Sequence, residues 1–171
     1  VVVGGPGSGK TRLSLALGRR LALPVLHLDV LYWQPGWKPS DRADFRRRVK
    51  AAIAADRWIA DGSFSGLAMD LTISRADLFI AIERPRWLRM WRVLMRSIFE
   101  RDSARPDLPE GCPEMLDWPL AKEAWNYDAV RTPCIEAERV EYGPNVPVVR
   151  LRSDRDIADF LDANDPRPWM K

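Results

Sequence analysis

VVVGGPGSGKT (residues 1–11) decides how the rest of the chain is read. Val1 to Val3 are β-branched and apolar, the makings of a short buried strand. Four glycines and a lysine then fall within the next seven positions. Gly4, Gly9, Lys10 and Thr11 satisfy the spacing G-x-x-x-x-G-K-[ST]. Glycines at these places let the backbone fold back, so that successive N–H groups point into one concavity. The helix that follows adds the positive end of its dipole. In this arrangement the loop Gly5, Gly7, Ser8, Gly9, Lys10 and Thr11 holds a nucleoside triphosphate. Lys10 reaches the outer phosphates, and the Thr11 hydroxyl ligates Mg²⁺. The motif specifies binding of a triphosphate and leaves open what is done with it.

Outward from this loop, strands and helices alternate. Leu13, Leu17 and Leu21 recur at a spacing of four, which predicts a helix over 10–22. PVLHL (24–28) reads as a second strand, RWIADG (57–62) as a third, ADLFIAI (76–82) as a fourth and VPVVRL (146–151) as a fifth. A helix over 41–55 is capped by Ser40 or Asp41, with Phe45, Val49 and Ile53 on one face. Residues 86–100 form an amphipathic helix, and residues 101–119 read as a flap rich in proline and acidic residues. A helix over 119–140 is expected to be interrupted near Thr132-Pro133. Ser153 caps a last helix carrying Ile157, Phe160 and Leu161. Such alternation implies right-handed crossovers and a parallel sheet. The expected architecture is a single three-layer α/β domain over 1–171. It has a five-stranded parallel sheet and a small helical lid inserted at about 96–125.

Composition narrows the class. The chain has 171 residues, 46% hydrophobic and 30% charged, which suits one folded domain rather than a disordered segment. No apolar run approaches the roughly 20 residues of a membrane span. Two cysteines and one histidine exclude a four-ligand zinc site of Cys and His alone, and a reduced, cytoplasmic setting is expected. No signal peptide is visible, and the start at Val1 reads as clipped, which leaves room for a lost leader. The net charge of +3 is modest, but arginines crowd residues 84–105.

Ligands of such sheets sit beyond the carboxyl ends of the strands. Asp61 ends the third strand and can hold a water on Mg²⁺ or polarise an acceptor. Asp29 follows the second strand and can orient or deprotonate an acceptor hydroxyl. His27 is expected to be packed. On the 86–100 helix, Trp87, Trp91, Leu94, Met95 and Ile98 gather on one side, and Arg89, Arg92 and Arg96 on the other. Arg101 and Arg105 follow. The cationic side is either a solvated face or a set of lid cations that neutralise a transferred phosphoryl group; on the second reading Arg92, Arg96 and Arg105 join Lys10, Asp29 and Asp61 as catalytic residues. Tyr32, Trp33 and Trp37 surround a Pro-Gly turn just past Asp29. Packing is expected for them, with stacking on a base as the alternative. Cys112 reads as structural.

GGPGSGKT, PVLHLDVLYWQPGW, WIADGSFS and RPDLPEGCPE occur in this order, and together they resemble the bacterial DNA topology modulation proteins, in the adenylate kinase-like branch of P-loop proteins. The resemblance covers residues 1 to about 130. It implies a nucleotide-kinase fold with an acceptor-side segment after the second strand and a lid. It assigns Gly9, Lys10 and Thr11 to the triphosphate and metal, Asp61 to the acidic position after the third strand, Asp29 to the acceptor side, and Arg92, Arg96 and Arg105 to the lid side. Adenylate kinases usually carry DG-F-P-R where this chain has DGSFS; the missing arginine argues against AMP as acceptor. Motifs and resemblance together point to an ATP- and Mg²⁺-dependent phosphotransferase acting on a small hydroxyl or phosphate acceptor. A nucleotide-dependent regulator or DNA-associated ATPase is the alternative, and a plain NTP hydrolase a third. DNA as a partner is admitted by the arginines but disfavoured by the modest charge.

Overall fold

The structure is a computed structural model and describes residues 1–99, 111–112 and 118–164. The elements run β1 (Val2–Gly4), α1 (Lys10–Leu21), β2 (Val25–His27), α2 (Leu28–Tyr32), β3 (Trp33–Gln34), β4 (Lys38–Pro39), α3 (Arg42–Ala52), β5 (Ile59–Asp61), α4 (Met69–Ile73), β6 (Phe79–Ile82), α5 (Arg86–Phe99), α6 (Trp118–Tyr142), β7 (Val148–Leu151) and α7 (Asp154–Ala163). Five strands form one parallel sheet in the order β2-β5-β1-β6-β7. β1 is therefore central, and the loop that follows it leaves from the middle of the sheet.

The strands are apolar on both faces, as parallel strands covered by helices must be. Val1, Val3, Ala60, Phe79 and Ala81 pack on one face with Met69 and Ile73 of α4 and Ile135 of α6. Val2, Ile59, Ile80, Ile82 and Leu151 pack on the other with Leu13 and Leu17 of α1 and the α7 residues Ile157, Phe160 and Leu161. This gives the three layers. A third cluster of Leu28, Phe45, Val49, Ile53 and Ala68 joins α2, α3 and the approach to α4 beside the β2 edge.

The five strands and the helices α1, α3, α5 and α7 fall where the sequence pattern puts them. Asp41, rather than Ser40, caps α3, accepting from Ala43 N at 2.8 Å and Asp44 N at 3.2 Å. Ser153 opens α7 in a reciprocal capping box with Asp156. One expectation is overturned. α6 is not interrupted at Thr132-Pro133 but runs continuously from Trp118 to Tyr142 with Pro133 inside it. Pro133 and Ala129, whose carbonyl it leaves without an i+4 donor, both lie on the exposed side, where water can serve that carbonyl. Ala124 and Ile135, buried at 0% and 4% exposure, hold the two halves of the helix inward. The short elements α2, α4 and the β3–β4 hairpin are additions to the predicted pattern. The expected flap at 101–110 and 113–117, with Arg101 and Arg105, lies outside the described residues. Among the described residues, no helix is long and apolar enough to cross a membrane.

Replacing Pro133 with Ala should restore one helix hydrogen bond at an exposed position. The expected gain is about 2 kcal/mol, the helix penalty of proline less its effect on the unfolded chain. Urea unfolding measures it; a lower midpoint for Pro133→Ala would show that the proline shapes α6 rather than merely being tolerated.

Candidate functional site

The carboxyl ends of β1, β2, β5 and β6 open on one edge of the sheet. There the Gly4–Gly9 loop leaves β1 and enters α1. Ser8 N donates to Gly5 O at 3.0 Å, and Leu13 N to Gly9 O at 3.1 Å. Gly7 (φ +76°) and Gly9 (φ +97°) adopt left-handed backbone, which favours glycine. Gly9 occupies the cap position of α1, yet no side chain caps that end and no acidic residue lies in its first turn. The free N–H groups at the start of α1 are thus left for an anion. Lys10 and Thr11 stand half-buried in the first turn. Ser8 is fully buried and its hydroxyl turns back towards Gly4 rather than into the loop, so only its main chain faces the concavity's rim.

Asp61 ends β5 at 3% exposure. Its Oδ2 lies 3.0 Å from His27 Nδ1, while Oδ1 is buried without a hydrogen-bond partner. His27 is packed, as expected, with its side chain about 10% exposed, but it does more than pack. It stands directly opposite Asp61 in the β2–β5 register and fixes one carboxylate oxygen. The other oxygen is a hard donor, of the kind Mg²⁺ takes. Among the described residues no three His, Cys, Asp or Glu side chains cluster as a metal cage. Few protein ligands, with phosphate oxygens and waters completing the shell, is the usual Mg²⁺ pattern. Asp29 lies two residues beyond His27, in the first turn of α2 on the same edge.

The cationic side of α5 faces inward. Arg89 is 1% exposed and packs on the loop: a Cβ added at Gly5 would strike its guanidinium, and one at Gly7 would strike its main-chain carbonyl. Its Nη2 donates to Asp128 Oδ2 at 2.9 Å and to Ala124 O at 3.3 Å, and its guanidinium lies 5.4 Å from the Tyr127 ring centre. Arg92 stands beside Gly9 and reaches Asp154 at 3.4 Å. The buried Arg84 donates to the same carboxylate at 2.5 Å and to Arg152 O at 3.1 Å. Arg96 is half-buried one turn further on. The apolar side faces water, with Trp87, Trp91, Leu94 and Ile98 all exposed. Sequence periodicity separated the two sides of α5 but missed which one turns in. Asp128 and Asp154, brought up by α6 and the β7–α7 junction, supply the reason.

The turn after Asp61 is held by side chains from several elements. Burial pushes the Tyr127 hydroxyl up to about 12, so it stays a neutral phenol. Ser65 Oγ donates to Glu138 at 2.6 Å. Phe64 packs in a ring cluster with Tyr32 (4.9 Å) and Phe45 (4.9 Å), and Tyr32 meets Trp33 at 4.8 Å. Trp37 touches Trp33 at 5.7 Å. The aromatic stretch is therefore engaged in packing. Cys112 is structural: it bonds Gln34 O at 3.1 Å and accepts from Trp37 N at 3.4 Å, holding the β3–β4 hairpin. A separate cavity of about 390 Å³, lined by Ser74, Asp77, Tyr142 and Asn145 among others, opens at the amino-terminal ends of β6 and β7, away from these groups.

No protein-family model matches the chain, and no curated protein matches it in sequence. Solved structures match it in shape. TT1252 from Thermus thermophilus superposes with a TM-score of 0.52 at 17% identity, covering 99% of this chain and 96% of that one. An unliganded sugar kinase from Janibacter sp. HTCC2649 superposes with a TM-score of 0.47 at 13% identity, covering 98% and 89%. At these identities the likeness is one of fold: a parallel five-stranded sheet flanked by helices.

Arg46 ties α3 to α4 through a two-pronged pair with Asp70, both contacts at 2.7 Å. The hydrogen bonds from Arg46 hold the Asp70 carboxyl below its ordinary 3.8, against the opposing effect of burial. A depressed carboxyl adds stability above its unfolded value and loses it as pH falls through the folded value. Asp70→Asn should therefore lower Tm at pH 7, and the gap to wild type should close below about pH 3.8. Thermal melts from pH 7 to pH 2.5 check this; a gap that stays constant with pH would sink it.

Proposed function

We propose that this chain is a phosphotransferase that moves the γ-phosphoryl group of ATP to a small hydroxyl or phosphate acceptor. The observation that carries the reading is the loop Gly4–Thr11, which leaves the N-terminal amides of α1 uncapped and has arginines packed around it. The order and spacing of the motifs, which resemble those of the DNA topology modulation proteins, support it, as does the parallel α/β fold.

In this reading the loop amides and the Lys10 ammonium hold the β- and γ-phosphates. Thr11 and the free Oδ1 of Asp61 would hold Mg²⁺, which supplies charge neutralisation on the phosphate oxygens when bound. Asp29 accepts a hydrogen bond from the acceptor hydroxyl and takes its proton as the new O–Pγ bond forms. The bond from Pγ to the β-bridging oxygen breaks, and ADP leaves. Arg92, beside Gly9, is assigned the neutralisation of that charge, with Arg96 one turn further along α5 and Arg105 in the lid assigned the same task. The inward orientation of Arg89 and Arg92 supports a small phosphorylated ligand over a DNA backbone, which would need the cations on the outer surface. The missing arginine in the DGSFS turn favours an acceptor other than AMP. The free thiols of Cys112 and Cys134 suit the reducing cytoplasm proposed as its setting.

With γ-labelled ATP, Mg²⁺ and a panel of nucleosides, nucleotides and sugars, one acceptor class should take up label faster than water does. Lys10→Ala should lower that rate by roughly a hundredfold, the typical cost of one transition-state donor. Transfer to water alone, with every acceptor, would replace this reading with hydrolysis.

A further inference from the structure

The outer face of α5 has a pattern of its own. Trp87, Trp91, Leu94 and Ile98 are 66%, 56%, 39% and 57% exposed. Their successive spacings of four, three and four are those of a coiled-coil seam rather than of scattered surface residues. The residues that flank the seam, Leu88, Met90, Met95 and Ser97, carry no charge, and the Ser97 hydroxyl is already engaged, donating to Val93 O at 2.7 Å. Trp125 of α6, 48% exposed, borders the amino-terminal end of the seam, where the Arg86 guanidinium lies 5.3 Å from its ring centre. At roughly 250 Å² for a whole tryptophan and less for leucine or isoleucine, the four seam residues leave roughly 500 Å² in water per chain, and two such faces together reach about 1,000 Å², where specific interfaces begin.

We propose that a second copy of this chain covers this face, α5 against α5, antiparallel about a twofold axis. The seam is complementary to itself in that direction. Residues 87 and 98, like residues 91 and 94, lie equally far from the helix midpoint between 92 and 93. An antiparallel partner therefore sets Trp87 opposite Ile98 of the second copy and Trp91 opposite Leu94 of the second copy, and the twofold axis repeats both pairs. Each bulky ring meets a smaller aliphatic side chain, which is how facing layers interdigitate. A parallel pair would instead crowd tryptophan on tryptophan at one end and set small on small at the other. It would also align the two helix dipoles, which the antiparallel pair opposes. The uncharged flanks bring no like charges together. Arg89 and Arg92 stand against the phosphate loop, on the reverse of the seam, so pairing leaves the loop side of α5 free.

Sedimentation equilibrium of the full chain over a dilution series tests this. Wild type should approach twice the mass of one chain at the concentrated end. Trp91→Glu places a carboxylate in the seam from each copy and should weaken association about a hundredfold or more. Trp91→Ser adds no charge; it should weaken association about tenfold or more and should melt with wild type at dilutions where both are single chains. Trp87→Glu and Ile98→Lys test the direction. Each alone should weaken the pair. Combined in one chain, they face each other across the axis as opposite charges and should associate about tenfold or more tightly than either alone. A single-chain mass for wild type at every concentration would overturn the proposal and leave the face to another segment or another protein. Wild-type association in Trp91→Glu would put the contact on a different surface and overturn it too. A lower melting point in dilute Trp91→Ser would mean that the ring supports its own chain, against the role assigned to it. A double variant no tighter than the single ones would overturn the antiparallel register.

Discussion

β1 is hydrogen-bonded on both sides, to β5 through Val2 and to β6 along its whole length. Everything at the candidate site takes its position from that. A loop leaving an edge strand has a frame on one side only; this one leaves a strand paired on both sides. Val2 and Val3, at 1% and 3% exposure, lock its base between the two helical layers. Loop glycines can then adopt left-handed backbone without blurring where the amides point. The same register places Asp61 beside Val2 and His27 beside Asp61.

Charge is distributed around this frame with an unusual polarity. α5 turns its arginines in and its tryptophans out. The exposed Trp87 and Trp91, at 66% and 56%, represent apolar area left in water. Burying the opposite face is favourable only because anions wait there. Asp128 and Asp154 meet Arg89, Arg84 and Arg92. Removing one partner from such pairs leaves a stranded charge, which is far more damaging than removing the pair. The site is thus held by interactions strong as a set and unforgiving one at a time.

What could be read from residues alone follows from how local the cause is. The loop was legible because eight consecutive positions carry its whole chemistry. The strands were legible because Phe79–Ile82 and their like are apolar throughout and flanked by helical periodicity. α2 and α4 were not, since each is a single turn of five residues held by tertiary packing of Leu28 and Met69. Pro133 announced a break that packing of Ala124 and Ile135 overrides. The His27–Asp61 pair depends on how two strands 34 residues apart align, which no spacing encodes. Arg89 was visible as part of a stripe with Arg92 and Arg96; that it alone is swallowed follows from Gly5 having no side chain and from α6 bringing Asp128 alongside.

Gly5 and Arg89 occupy one shared volume. The loop can come as close to α5 as it does because positions 5 and 7 both lack a Cβ, and the guanidinium fills the space left at position 5. Drift at these two positions is therefore not independent. An alanine at 5 demands something shorter at 89, and a shorter, uncharged residue at 89 strands the carboxylate at 128. The three positions form a module that can be exchanged whole or kept whole, and a lineage that altered one of them would pass through a damaged intermediate before the others caught up.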